Sequence, residues 1–187
     1  VKAAAFGAFM NAGQICMSTE RIIVVDAIAD EFSQRLAEKA ASMPVSSVGE
    51  QVDDAAPATV RNLIDDALSQ GARSTSSGPA TVLDGITPSM RLYRDESFGP
   101  VVGIIRVADE EEAIEVANDS GYGLAAAVFT RDTARGLRVA RRIRSGICHV
   151  NGATVQDEPQ MPCGGVGASG YGRVGGNVVA VMDVPRE

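Results

Sequence analysis

Histidine and cysteine are scarce in this chain of 187 residues, which holds one histidine, His149, and three cysteines, Cys16, Cys148 and Cys163. An odd number of widely spaced thiols argues against a disulfide framework and fits a reducing, cytoplasmic setting. The same scarcity leaves little to bind a metal. Cys148, His149 and Cys163 could be grouped, but adjacent ligands and a missing fourth partner make poor zinc spacing, so Cys148 and Cys163 read as buried or incidental thiols. Positive charge is in deficit as well. The net charge of −7 disfavours nucleic acid as a partner. No apolar run is long enough to cross a bilayer, so no membrane partner is expected. No signal-peptide cleavage pattern follows the first residues, where Asn11 and Gln14 interrupt the apolar run. An initiator methionine is also missing, and the expectation is a fragment or a processed chain. Internal repeats and low-complexity segments are absent.

What remains is an ordinary globular composition, 45% hydrophobic and 22% charged, with enough length for one sizeable core. Residues 3–10 are rich in alanine and predict a closely packed helix. Arg21, Ile22, Ile23, Val24 and Val25 predict a buried strand. Ile28, Phe32, Leu36 and Ala40 recur at four-residue intervals, which predicts an amphipathic helix over 28–43 that ends near Pro44. Residues 44–56 read as a surface connection. Pro57 opens a second helix over 58–70, stopped at Gly71. Residues 74–81 read as loop or weak strand, and short pieces at 82–83 and 91–93 flank a turn around Asp84 and Gly85. A strong strand covers 101–107. Asp109 caps a helix to about Asn118, with Glu110, Glu111 and Glu112 in its first turn. Strand 124–130, helix 132–143 and strand 146–150 complete the order. This alternation predicts an α/β fold, layered α/β/α, with a largely parallel sheet.

The chemistry concentrates at Asn11, Ala12, Gly13, Gln14, Ile15, Cys16, Met17 and Ser18. Here a lone cysteine follows a glycine-containing bend, between a small-residue helix and a buried strand. A thiol at such a junction can be reached by substrate while its scaffold stays rigid, so Cys16 is the candidate nucleophile. A hydrolase or acyl transferase would pair it with His149, oriented by Asn151. Arg131, Arg135, Arg138, Arg141, Arg142 and Arg144 read as a solvated helix face with cations toward its C-terminal end. Residues 162–176 are glycine-rich. With no Lys-Ser/Thr after the glycines and no strand-to-helix setting, they are neither a Walker A loop nor a Rossmann phosphate loop. Such a segment lets backbone approach something closely, either another element or a substrate.

Four blocks in order resemble the catalytic domain of the aldehyde dehydrogenase superfamily. They are residues 9–16 around Cys16; Glu96, Ser97, Phe98, Gly99, Pro100 and Val101; residues 122–130; and the loop at 162–176. Residues 13–21 look like the branch acting on aromatic aldehydes such as salicylaldehyde or vanillin. The resemblance implies a catalytic domain over 1–176, an atypical tail over 177–187, and a small-molecule aldehyde as substrate. Cys16 would attack the carbonyl to give a thiohemiacetal, hydride would pass to NAD or NADP, and water would release the acid from a thioester. The backbone N–H of Cys16 would help hold the oxyanion. Glu96 would hold the nicotinamide-side ribose, and the Phe98 ring would lie against the nicotinamide. Departures accompany the match. Ala12 stands where glutamine is usual, Cys163 where an aromatic commonly lines the aldehyde channel, and Gly167 where lysine is common. The family tail reaches a neighbouring subunit, so homo-oligomerisation is expected of full-length members and put in doubt here by the altered tail. The dinucleotide-binding domain, the general-base glutamate and the oxyanion-hole asparagine precede this stretch in the family. The expectation is therefore a piece inactive alone, with a non-catalytic truncated domain as the alternative.

Overall fold

The computed structural model describes residues 1–43, 51, 55–76 and 78–173. Most of the connection expected at 44–56, the end of the glycine-rich segment and the tail at 177–187 lie outside the described residues.

A parallel core of three strands organises the larger part of the molecule. Strand β1 (Arg21–Val25) pairs with β4 (Val101–Val107), with Ile23 opposite Ile105. On the other side of β4 lies β3 (Thr81–Asp84), also parallel, and the short β2 (Arg73–Ser74) adds antiparallel to it. The order is β1-β4-β3-β2. Side chains alternate across β4, so one strand feeds two cores. Val101, Ile105 and Val107 pack with Val60, Leu63 and Ala67 of α3 (Ala56–Ser69). Val102 and Ile104 face Ala5, Ala8 and Phe9 of α1 (Lys2–Phe9) and Ala29, Leu36 and Ala40 of α2 (Asp26–Ala41). Helix α4 (Glu110–Asn118) covers the first face through Ala113 and Val116. The expected α/β/α layering is present.

A second, two-stranded parallel sheet joins β5 (Ala125–Val128) to β6 (Ile147–Val150) through α5 (Thr133–Ala140). The outer edges of β1 and β5 carry no strand partner among the described residues. Both line a cleft of about 730 Å³ between the sheets.

That cleft explains a departure from the helical pattern. The buried stripe of α2 runs through Ala29, Ser33, Leu36, Ala37 and Ala40, whereas Ile28 is 53% exposed. Ile28 lines the cleft, and Phe32 lines it while also packing against the core, so both lie beside the buried face rather than at its centre. The pieces at 82–83 and 91–93 also separate in kind. The first belongs to β3, inside the sheet, and the second is a turn of 3-10 helix, Arg91–Tyr93. The expected Asp109 cap forms, its side chain accepting from the Glu112 N–H at 3.0 Å, and Asp132 caps α5 in the same way, accepting from the Arg135 N–H at 3.0 Å. The arginine-rich face is exposed, and Arg135 and Arg142 pair with Glu110 and Glu111 of α4. Among the described residues, no helix is long and apolar enough to cross a membrane.

Candidate active site

The backbone ahead of Cys16 bends through an uncommon path. Helix α1 stops at Phe9, and Asn11, Ala12 and Gly13 follow with φ of 53°, 58° and 73°. Three successive residues in the left-handed region reverse the chain sharply. Reciprocal bonds hold the bend: Asn11 Nδ2 donates to the Gln14 carbonyl at 3.3 Å, and Gln14 Nε2 to that of Asn11 at 3.1 Å. The Ser18 N–H then donates to the Ile15 carbonyl at 2.7 Å, which puts Cys16 and Met17 at the centre of a tight turn. Cys16 is exposed there. Its backbone N–H takes no acceptor among the described residues.

Everything after the turn is tied down. The Thr19 N–H donates to the Gly7 carbonyl at 3.0 Å, and the Thr19 and Thr154 hydroxyls are 2.8 Å apart. Gly7 is glycine for a reason, since a Cβ there would stand 2.5 Å from the Thr19 hydroxyl. Arg21, opening β1, donates to the carbonyls of Val116, Ala117 and Asp119 at the end of α4 and lies 5.2 Å over the Tyr93 ring. The cation thus meets the partial negative charge of a helix C-terminus.

Glu96 and Phe98 come from the loop entering β4. Glu96 is exposed and lines the same cleft as Cys16; Phe98 is 39% exposed with φ of 45°. The two loops touch. A Cβ on Gly13 would overlap the Gly99 carbonyl, so only glycine permits this approach. Sequence reasoning missed the group that joins them, Glu20. Its carboxylate accepts from the Ser97 N–H at 3.1 Å and the Phe98 N–H at 3.2 Å. Burial pushes the Glu20 carboxyl up from its ordinary value; the Ser97 and Phe98 hydrogen bonds oppose that rise and the Glu96 charge adds to it. The one available signal was an acidic residue set directly before an apolar strand.

The remaining thiols and the histidine lie elsewhere or play smaller parts. Cys148 sits in β6, where burial pushes its thiol up to about 11. The Cys163 thiol is raised by burial, by Asp157 and by Cys16, so Cys163 lies within electrostatic reach of Cys16. His149 is also in β6. Its Nε2 is buried without a hydrogen-bond partner, and His149 does not line the cleft that Cys16 lines. A Cys16–His149 hydrogen bond is not formed. The glycine-rich loop packs on another element. Val166 N–H donates to the Gly123 carbonyl, Gly123 N–H to the Ser169 hydroxyl, and Arg173 to the Gly146 carbonyl, at 3.0, 3.0 and 2.8 Å. Among the described residues, no group of three or more His, Cys, Asp or Glu side chains could hold a metal ion.

This arrangement offers an exposed thiol with a free N–H beside it, on a cleft that the Glu96 carboxylate also lines, with the partly exposed Phe98 ring in the same loop as Glu96. The model of the aldehyde dehydrogenase family matches residues 1–183. A vanillin dehydrogenase from Pseudomonas fluorescens is 52% identical over 94% of the chain and 39% of its own length. A crystal structure of a salicylaldehyde dehydrogenase from Pseudomonas putida, complexed with salicylaldehyde, superposes with TM-score 0.91 at 44% identity, covering 94% of this chain and 40% of that one. An NADP-dependent glyceraldehyde-3-phosphate dehydrogenase from Bacillus halodurans, complexed with NADP, superposes with TM-score 0.88 at 36% identity, covering 93% and 39%. The chain therefore spans about two fifths of the length of the relatives it matches.

Proposed function

The chain belongs to the aldehyde dehydrogenase family, and we propose that it is the nucleophile-bearing catalytic part, over residues 1–176, of an enzyme that oxidises an aromatic aldehyde to its acid. The observation that carries the reading is the meeting of Cys16 and Glu96 on one cleft, in two loops packed against each other. Cys16 attacks the aldehyde carbon as a thiolate, and its own unpaired N–H is suited to donate to the developing oxyanion. When bound, a nicotinamide cofactor supplies the acceptor for the hydride that leaves the thiohemiacetal. The residues present suit such a cofactor. The exposed Glu96 carboxylate is an acceptor for ribose hydroxyls, and the partly exposed Phe98 ring offers an apolar face. Loss of hydride leaves an acyl thioester on Cys16, which water hydrolyses to release the acid and restore the thiol.

Aromatic substrates are inferred from the vanillin and salicylaldehyde relatives. Cys163, standing where the family commonly has an aromatic residue, reshapes the aldehyde channel and weighs against an aromatic substrate, so the relatives alone carry that inference. The general base, the second oxyanion donor and the dinucleotide-binding domain are assigned to the length not spanned here. The isolated chain, mixed with NAD and benzaldehyde, is then expected to give no sustained NADH absorbance. Grafted in place of the matching two fifths of the Pseudomonas putida enzyme, it should give NADH formation that Cys16→Ser abolishes. Sustained turnover by the isolated chain would refute the division of labour, and turnover by the Cys16→Ser graft would refute the nucleophile.

A further inference from the structure

None of the steps above uses Glu20, yet its carboxylate lies between the two loops that make the site. Its backbone is fixed, because the Glu20 carbonyl accepts from the Gly103 N–H at 3.2 Å, where β1 and β4 begin to pair. Its side chain leaves the sheet and meets two successive N–H groups, those of Ser97 and Phe98, at 3.1 and 3.2 Å. The two N–H groups converge on one carboxylate in a concavity of backbone donors, an arrangement set by the torsions of Ser97 between them, and Phe98 follows in the left-handed region at φ of 45°. A phenylalanine in the left-handed region is strained by about 1–2 kcal/mol. The Gly99 N–H adds a bond to the Ser97 hydroxyl at 3.3 Å, which tightens the same turn. The concavity is thus filled by an anion from the chain itself, in the loop that carries Cys16.

We propose that Glu20 is a positioning residue: its carboxylate, gripped by the Ser97 and Phe98 N–H groups, fixes the peptide planes on either side of Ser97 and so sets the Glu96 carboxylate and the Phe98 ring relative to Cys16. The inference rests on the reading of Cys16 as nucleophile and of Glu96 and Phe98 as cofactor-side groups. Glu20→Ala removes both acceptors. Glu20→Gln keeps the volume but leaves one oxygen where two are needed, with an amide donor aimed at an N–H.

Amide-resolved hydrogen exchange on the chain itself tests this without activity. Glu20→Ala is expected to speed exchange at Ser97 and Phe98 by about tenfold or more, and Glu20→Gln by less, while Ile104 and Ile105 in β4 keep their protection. Added acetate should restore protection in the alanine variant. The unmodified chain gives a second route that needs no substitution. Raised by burial and by the Glu96 charge, the Glu20 carboxyl holds its proton more tightly in the closed loop than in the open one, so protection at the two amides should weaken as pH rises through that raised value, and in Glu96→Gln this weakening should move to lower pH. Unchanged exchange at Ser97 and Phe98 in both variants, or pH-independent protection in the unmodified chain, would overturn the proposal. In the grafted enzyme, Glu20→Gln should raise KM for the cofactor while the rate of Cys16 alkylation by iodoacetamide stays the same. If the graft oxidises no aldehyde, the functional reading fails and the exchange result still decides the role of Glu20.

Discussion

Gly13 carries much of the site at the scale of single residues. Its φ of 73° and its contact with the Gly99 carbonyl leave no room for a Cβ. Gly13→Ala should therefore destabilise the fold by about 2–4 kcal/mol, read as a lower urea midpoint, with faster exchange at Gly99 and Phe98. Gly13 was legible in the sequence as the bend before Cys16. The left-handed conformations of Asn11 and Ala12 were not, since alanine rarely adopts them and nothing local announces the demand. The thiols differ enough to be sorted chemically. At pH 8 a thiol raised to about 11 is roughly a thousandth thiolate, so iodoacetamide should label exposed Cys16 first and leave Cys148 unmodified until the chain unfolds. Peptide mass mapping checks the order. Early labelling of Cys148 would contradict its placement in β6.

At the scale of elements, strands and caps were the readable part. The apolar runs of β1 and β4 and the Asp109 cap follow from local chemistry alone. β3 was harder, because four residues with an aspartate at the end resemble a loop border. That aspartate is a pairing device. Asp84, 2% exposed, accepts from Arg106 at 2.7 and 3.0 Å and from Arg73 at 3.0 Å, and Arg106 also reaches Asp30 of α2 at 2.7 Å. Burial alone would raise the Asp84 carboxyl, but the hydrogen bonds and charges of Arg106 and Arg73 outweigh it and hold it below the usual carboxylate value. A carboxyl lowered by folding contributes stability above its unfolded value and loses it as pH falls through the folded one. Asp84→Asn should cost about 3 kcal/mol near neutral pH in urea denaturation, and should flatten the decline of stability below the ordinary aspartate range. An unchanged acid limb would show that the network contributes little.

At the scale of the molecule, the two sheets and the cleft between them could not be read from the chain. Periodicity reports which face of a strand is buried, not which strand lies beside it, so the free edges of β1 and β5 and the outward turn of Ile28 needed coordinates. Composition alone allows the glycine-rich loop to approach either another element or a substrate, and its described part packs on Gly123 and Gly146. Cys16, Glu96 and Phe98 were legible because each sits in a short block with a recognisable order. Glu20 was not, because it acts through backbone N–H groups 77 and 78 residues away. Under the proposed function, Cys16 carries the acyl group formed from an aromatic aldehyde. That role is tested most directly by acid-quenching the grafted enzyme during a single turnover with NAD and vanillin, then mapping peptides by mass. A vanilloyl mass is expected on the peptide bearing Cys16 and none on those bearing Cys148 or Cys163. Turnover with the acyl mass on another residue, or with none trapped on Cys16, would contradict it.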